Sequence, residues 1–174
     1  MNFKLSQDAR PQAMTLLAAT AISLVLWLIP FTWFLYYPFE LFVTFIHEGG
    51  HALAAVLTGR SVEHMWVATD TQGLTVARGQ GGFIADVLFS SAGYLGAMAY
   101  GALLLVLIRK AVAARIVLLV SGVYVFALTM IFGLLKPLWS FSGLSGVPFT
   151  VLAGIIISVG LVVIARFASA RVAT

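Results

Sequence analysis

Apolar and polar positions divide this chain into long oily runs joined by short polar segments. A helix needs about 20 apolar residues to cross a bilayer core. Five runs meet that length, at residues 14–36, 38–58, 83–108, 111–134 and 147–165. Pro30 predicts a kink or an end in the first run, and the aromatic residues after it suit the membrane interface. Lys4 and Arg10 precede that run as in a signal peptide, but no small-residue cleavage site follows it, so it reads as a retained anchor. Pro38 suits the first turn of the second helix, which stops before Gly59 and Arg60.

Residues 61–80 follow a different period. Val62, Met65 and Val67 lead to a turn near Thr71, Gln72 and Gly73, after which Leu74 and Val76 resume the alternation. The pattern predicts a short β-hairpin at the membrane surface, since open strand edges cannot face lipid. Residues 136–146, KPLWSFSGLSG, read as a loop because of Pro137, Gly143 and Gly146. No internal repeat or low-complexity tract interrupts the series. The fold expected is an all-α polytopic membrane protein, residues 1–174 forming one transmembrane domain of about five helices, with the hairpin between the second and third.

Composition strengthens this picture. Apolar residues make up 61% of the chain and charged residues 9%, against about 25% charged in a soluble domain. There is no cysteine, which excludes disulfides and thiolate metal sites. The net charge of +4 does not indicate nucleic acid, because the basic residues lie at the ends of apolar runs, where they anchor helices and meet lipid headgroups. They set no orientation either. Lys4, Arg10, Arg60, Arg78 and Lys136 fall on one side of a five-span arrangement, and Arg109, Lys110, Arg115, Arg166 and Arg171 on the other.

The chemistry gathers in the second run, where HEGGH occupies residues 47–51. On a helix, positions i and i+4 share a face, so His47 and His51 present two imidazoles to one point, about 6 Å of rise apart. Two neutral imidazole nitrogens can hold Zn²⁺, and Glu48 lies close enough to act on a water there without being a ligand. That arrangement is suited to hydrolysis: zinc acidifies water and polarises a carbonyl, and the carboxylate moves the proton. A structural polar cluster is the alternative, although polar groups inside a membrane persist where they pair, bind an ion or line a wet cavity. Gly49 and Gly50 are costly in a helix interior and allow another helix or a substrate backbone to approach closely.

A catalytic zinc site also wants a third protein ligand. The acids are Asp8, Glu40, Glu48, Glu63, Asp70 and Asp86, with none beyond Asp86. Glu40 lies two turns before His47, about 10 Å along the axis, too far for the metal itself. Glu63, His64 and Asp70 belong to the hairpin and read as solvated or headgroup-facing. Asp86 begins a stripe with Ser90, Gly93, Ala97 and Gly101 on the third run. It is the candidate third ligand if that stripe faces Gly49 and Gly50, although its place near the start of the span argues instead for the membrane surface.

HEGGHALAAVLTGR at 47–60, a short hairpin, and SSAGYLGAMAYGALLL at 90–105 together resemble the site-2 protease family of intramembrane zinc metallopeptidases, in particular its compact bacterial branch. The resemblance covers roughly residues 38–108. It implies a three-helix core with zinc on His47 and His51, Glu48 as base, and Ala92 to Gly96, including Gly93 and Gly96, packed beside the site. It also implies that the hairpin, through Val62, Met65, Val67, Leu74 and Val76, presents an unwound substrate segment. Substrates would be single-span membrane proteins, and the location a bacterial inner membrane. The family's third ligand is an Asp on a later helix; Asp86, water or a helix beyond Thr174 would have to supply it here. Two other readings are carried along. One is a degenerate homologue, a pseudoprotease serving as an accessory or assembly subunit among partner membrane proteins. The other is a transporter or channel, for which no inverted repeat is found.

Overall fold

The structure is a computed structural model that describes residues 9–29, 31–109 and 114–167. Pro30, residues 111–113 of the fourth expected span, and Lys4, Lys110 and Arg171 lie outside the described residues. Among the described residues six α-helices and one hairpin follow in order: α1 Ala9–Leu28, α2 Trp33–Leu57, β1 Ser61–Val67, β2 Gly73–Arg78, α3 Phe83–Arg109, α4 Ala114–Leu128, α5 Lys136–Ser140 and α6 Val147–Phe167. A π-helical stretch, Thr129–Leu135, joins α4 to α5, and a 3₁₀ turn, Leu144–Gly146, precedes α6. The chain divides into a first unit over residues 1–38 and a second over residues 39–174.

Three helical stretches are long and apolar enough to cross a membrane: Phe83–Leu107, Ala114–Ser140 and Leu144–Phe167. Ala13–Leu28 and Trp33–Leu57 reach that standard only together, as one broken span. The membrane architecture expected from the apolar runs is therefore present, with three or four candidate spans among the described residues instead of five. The polar groups of HEGGH dilute the hydropathy of α2, which carries them through its centre.

Two boundaries differ from expectation. Pro38 lies inside α2, which begins at Trp33. The segment read as a loop from Lys136 stays helical through Ser140, with Pro137 following directly on the π-helical stretch. The turn comes instead at Phe141 and Gly143, both in the left-handed region.

The hairpin is antiparallel, with Met65 opposite Thr75 and Val67 opposite Gly73. A bulge between Val62 and His64 absorbs one extra residue. This explains why the inward positions run Val62, Met65, Val67 and not at strict alternation: the added residue resets which side chains face the core. All three are buried. The edge of β1 away from β2 is closed by side-chain hydroxyls. The Val67 N–H donates to Thr150 Oγ1 at 2.8 Å, and Ser140 Oγ donates to the Glu63 carbonyl at 3.2 Å. Such partners matter where water is scarce.

The π-helical stretch lies against this hairpin. Its Phe132 packs on Ala52, Ala55 and Val62, a small core shared by α2 and the hairpin. Gly133 lies beneath the Met65 carbonyl and the Thr150 methyl. Beyond it α4 and α6 pack through Gly122 against Ser158 and Gly154 against Thr129. The buried hydroxyls of Thr129 and Ser158 return to carbonyls one turn earlier, at 2.8 and 2.6 Å, so neither is left unsatisfied in this apolar interface.

Candidate metal centre

The centre is built on α2, where helical spacing brings His47 and His51 to one face. Their Nε2 atoms converge to 3.2 Å. Two nitrogens held by one tetrahedral zinc at about 2.0–2.1 Å lie roughly 3.3 Å apart, so the pair has the span that such an ion requires. The tautomer of His51 follows from its other nitrogen. Nδ1 lies 2.7 Å from the Phe89 carbonyl of α3, which only accepts, so Nδ1 carries the proton. In the neutral ring Nε2 is then a lone pair aimed at His47.

The helix α3 forms the opposite wall. A methyl group at Gly93 would stand 2.5 Å from His51 Nε2 and closer still to His47 Nε2, so the absence of a side chain there is what leaves room for the imidazole pair. Tyr94, the next residue, meets the His47 ring edge-on at 4.7 Å between centroids. Gly50 lies against the Ala92 carbonyl, and Gly96 against Gly50 itself. Gly49 faces elsewhere, toward the Tyr124 hydroxyl and Leu128 of α4. The adjacent glycines therefore admit two different helices, and only Gly50 faces the stripe on α3.

The hairpin closes a third side. Glu48 is 4% exposed. Thr75 Oγ1 donates to its Oε2 at 2.7 Å, and Gly73 presses on the carboxyl group from β2, where a Cβ would stand 2.5 Å from Oε1. One turn earlier on α2, Thr44 Oγ1 donates to the Thr71 carbonyl at 2.7 Å and fixes the hairpin tip. Asp70 Oδ1 accepts from the Gln72 N–H within that tip. These hydroxyls escaped sequence reasoning because Thr in an apolar run carries no signal; only the alternation that places Thr75 on the Gly73 face could have marked it.

Asp86 is not brought to the imidazole pair. It forms an ion pair with Arg60, and its side chain is 59% exposed. Among the described residues, no group of three or more His, Cys, Asp or Glu is placed to hold a metal. The two imidazoles and the space at Gly93 fit a zinc ion as two of its ligands, with the third not among them. The hairpin residues expected to present substrate divide: Val62, Met65 and Val67 are core, Val76 is half-buried, and Leu74 is 44% exposed.

His64 lies on β1, outside the spanning helices. Its Nδ1 is 3.0 Å from Ser142 Oγ, and Gly143 packs on its ring. Burial pushes its pKa below the usual value of 6.5, and the neighbouring Glu63 opposes that shift. Glu63 is itself paired with Arg78 at 2.5 Å. A cavity of about 210 Å³ lies beside β1, lined by Trp66, Val67, Ala68, Ser145, Gly146 and Phe149, none of them part of the titratable cluster.

Comparison with known proteins adds the family. No curated protein and no solved structure matches the chain. A family model described as Peptidase M50B-like matches residues 16–173, nearly the whole sequence. With an HEGGH helix walled by a glycine-bearing third helix and a hairpin, the chain belongs to the Peptidase M50B-like family of site-2 proteases.

Proposed function

We propose that this protein is an integral membrane zinc metalloprotease that cleaves membrane-embedded segments of other proteins with an activated water, in a bacterial inner membrane. The observation that carries the reading is the 3.2 Å convergence of the His47 and His51 Nε2 atoms one residue from a buried Glu48. His47 and His51 would hold a zinc ion, which would supply Lewis-acid chemistry toward water and the scissile carbonyl. Glu48 accepts the proton of the attacking water and returns it to the leaving amine. Thr75 orients the carboxyl group for that transfer, and the Phe89 carbonyl keeps the His51 lone pair on Nε2. The substrates would be single-span membrane proteins, whose unwound segment reaches the site beside the hairpin.

One observation favours a second reading. No third ligand joins the imidazoles among the described residues, as expected of a degenerate homologue acting as an accessory subunit. Metal analysis separates the two. One zinc per chain, lost on His47→Ala, together with cleavage of a tethered single-span reporter that Glu48→Gln abolishes while zinc stays bound, supports the protease. A metal-free, stably folded protein supports the subunit, and cleavage unaffected by Glu48→Gln overturns the mechanism.

A further inference from the structure

We infer that Arg60 and Asp86 are positioning residues for the metal centre, acting through Phe89 on His51. The inference rests on the zinc reading above. Its starting point is the end of α2. Gly59, in the left-handed region at φ 76°, lets the Gly59 N–H bond the Val56 carbonyl at 3.1 Å and the Arg60 N–H bond the Ala55 carbonyl at 2.8 Å. This pair of bonds is a Schellman stop. It turns the chain so that the Arg60 side chain runs back toward α3.

There the guanidinium makes two contacts on one face of that helix. Nη2 pairs with Asp86, and the group lies over the Phe89 ring at 5.3 Å from its centroid. Asp86 and Phe89 are three residues apart, so a single cation holds both across one helical turn. The Arg60 side chain is 10% exposed, and its Nε is buried without a partner, so Asp86 and the ring are what offset its charge. Phe89 then acts at both of its ends. Its ring packs against Ala52, Ala55 and Val62, and its carbonyl accepts the hydrogen bond from His51 Nδ1–H. The ion pair thus fastens the residue that fixes the ring and tautomer of His51. Asp86 contributes to the centre from outside it, as a counter-ion and not as a ligand.

The test uses the full-length protein in detergent, with zinc as the probe. Zinc affinity is read by competition with a chromophoric chelator, and ¹⁵N-histidine NMR of the metal-free protein at pH 8 reads the tautomer of His51 among only three histidines. Asp86→Asn is expected to weaken zinc severalfold without changing its stoichiometry, less than the roughly tenfold or more that follows loss of a ligand's direct hydrogen-bond partner. It should also move His51 from the Nδ1–H form to a mixture. The charge exchange Arg60→Asp with Asp86→Arg should recover most of both. Loss of zinc stoichiometry in Asp86→Asn, with no recovery on exchange, would make Asp86 a ligand and overturn the inference. So would unchanged affinity and unchanged His51 shifts. If the natural protein binds no zinc the protease reading fails by itself, and the His51 shifts alone decide this one. Should Asp86→Asn not fold, Arg60→Lys, which keeps the charge and loses the planar fork over Phe89, must show the same two changes to a smaller degree.

Discussion

Thr75 donates its hydroxyl proton to Glu48 across 2.7 Å, and this bond ties the middle of the hairpin to the middle of the second helix. Both residues are buried. A hydrogen bond to a buried carboxyl group contributes more than one at the surface, and its loss leaves an acceptor without water to replace the donor.

Thr75→Val should therefore destabilise the protein by about 1.5–3 kcal/mol, while Thr75→Ser should cost clearly less. Unfolding in detergent, followed by circular dichroism, measures both. If Thr75→Val costs little further in a Glu48→Leu background, which removes the acceptor, its effect acts through the carboxyl group.

Gly93→Ala should abolish zinc binding, because the added methyl would occupy the space against both Nε2 atoms. Gly101→Ala on the same helix is the control: nothing lies within 4 Å of its added carbon. That change should be neutral or stabilising, by up to about 1 kcal/mol from helix propensity. Equal zinc affinity in the two variants would refute the packing described for α3.

The two glycines of the motif should differ. At Gly50 an added carbon meets the Ala92 carbonyl, which belongs to a helix backbone and cannot turn aside. At Gly49 it meets the ends of the Tyr124 and Leu128 side chains, which can. Gly50→Ala is expected to lower thermal stability more than Gly49→Ala, and the reverse order would place α3 farther from α2 than it is here.

His64 makes stability depend on pH. Its folded pKa lies below the usual 6.5, so the unfolded chain binds the proton more readily. Its contribution is complete above about pH 6.5 and is lost as pH falls toward the folded value. Glu63, paired with Arg78, is the charged neighbour that limits the loss. Comparing the natural protein with His64→Asn between pH 7.5 and 5 isolates the effect. The variant should show the shallower decline, and parallel curves would remove His64 as its source.

The sequence carried the apolar runs, the hairpin and the i, i+4 imidazoles, since each rests on a period that residue types reveal. It raised a small-residue stripe of α3 facing Gly49 and Gly50 only as a condition, and of the two glycines Gly50 is the one beside Gly93. What it did not carry depends on neighbours distant along the chain. Asp86 could be weighed only as a possible ligand or a surface group, since its partner Arg60 lies 26 residues earlier. Lys136 to Ser140 read as a loop because Pro137, Gly143 and Gly146 punctuate that segment, although the helix continues through Pro137. The π-helical stretch has no composition of its own to announce it.

Adjacent glycines with unlike neighbours alter what the pentapeptide itself means. In the general HExxH pattern the two middle letters are free, and the signature rests on three residues. In this fold each of the five has an occupant dictated by a separate partner: Tyr94 at His47, Thr75 at Glu48, Tyr124 at Gly49, Ala92 at Gly50 and Phe89 at His51. A search for proteins built the same way should therefore weight HEGGH as five informative letters; a relative with a bulky residue at the second middle position must have moved a helix to keep it, and one with a larger residue at the first must have turned the side chains that stand where Tyr124 and Leu128 do here.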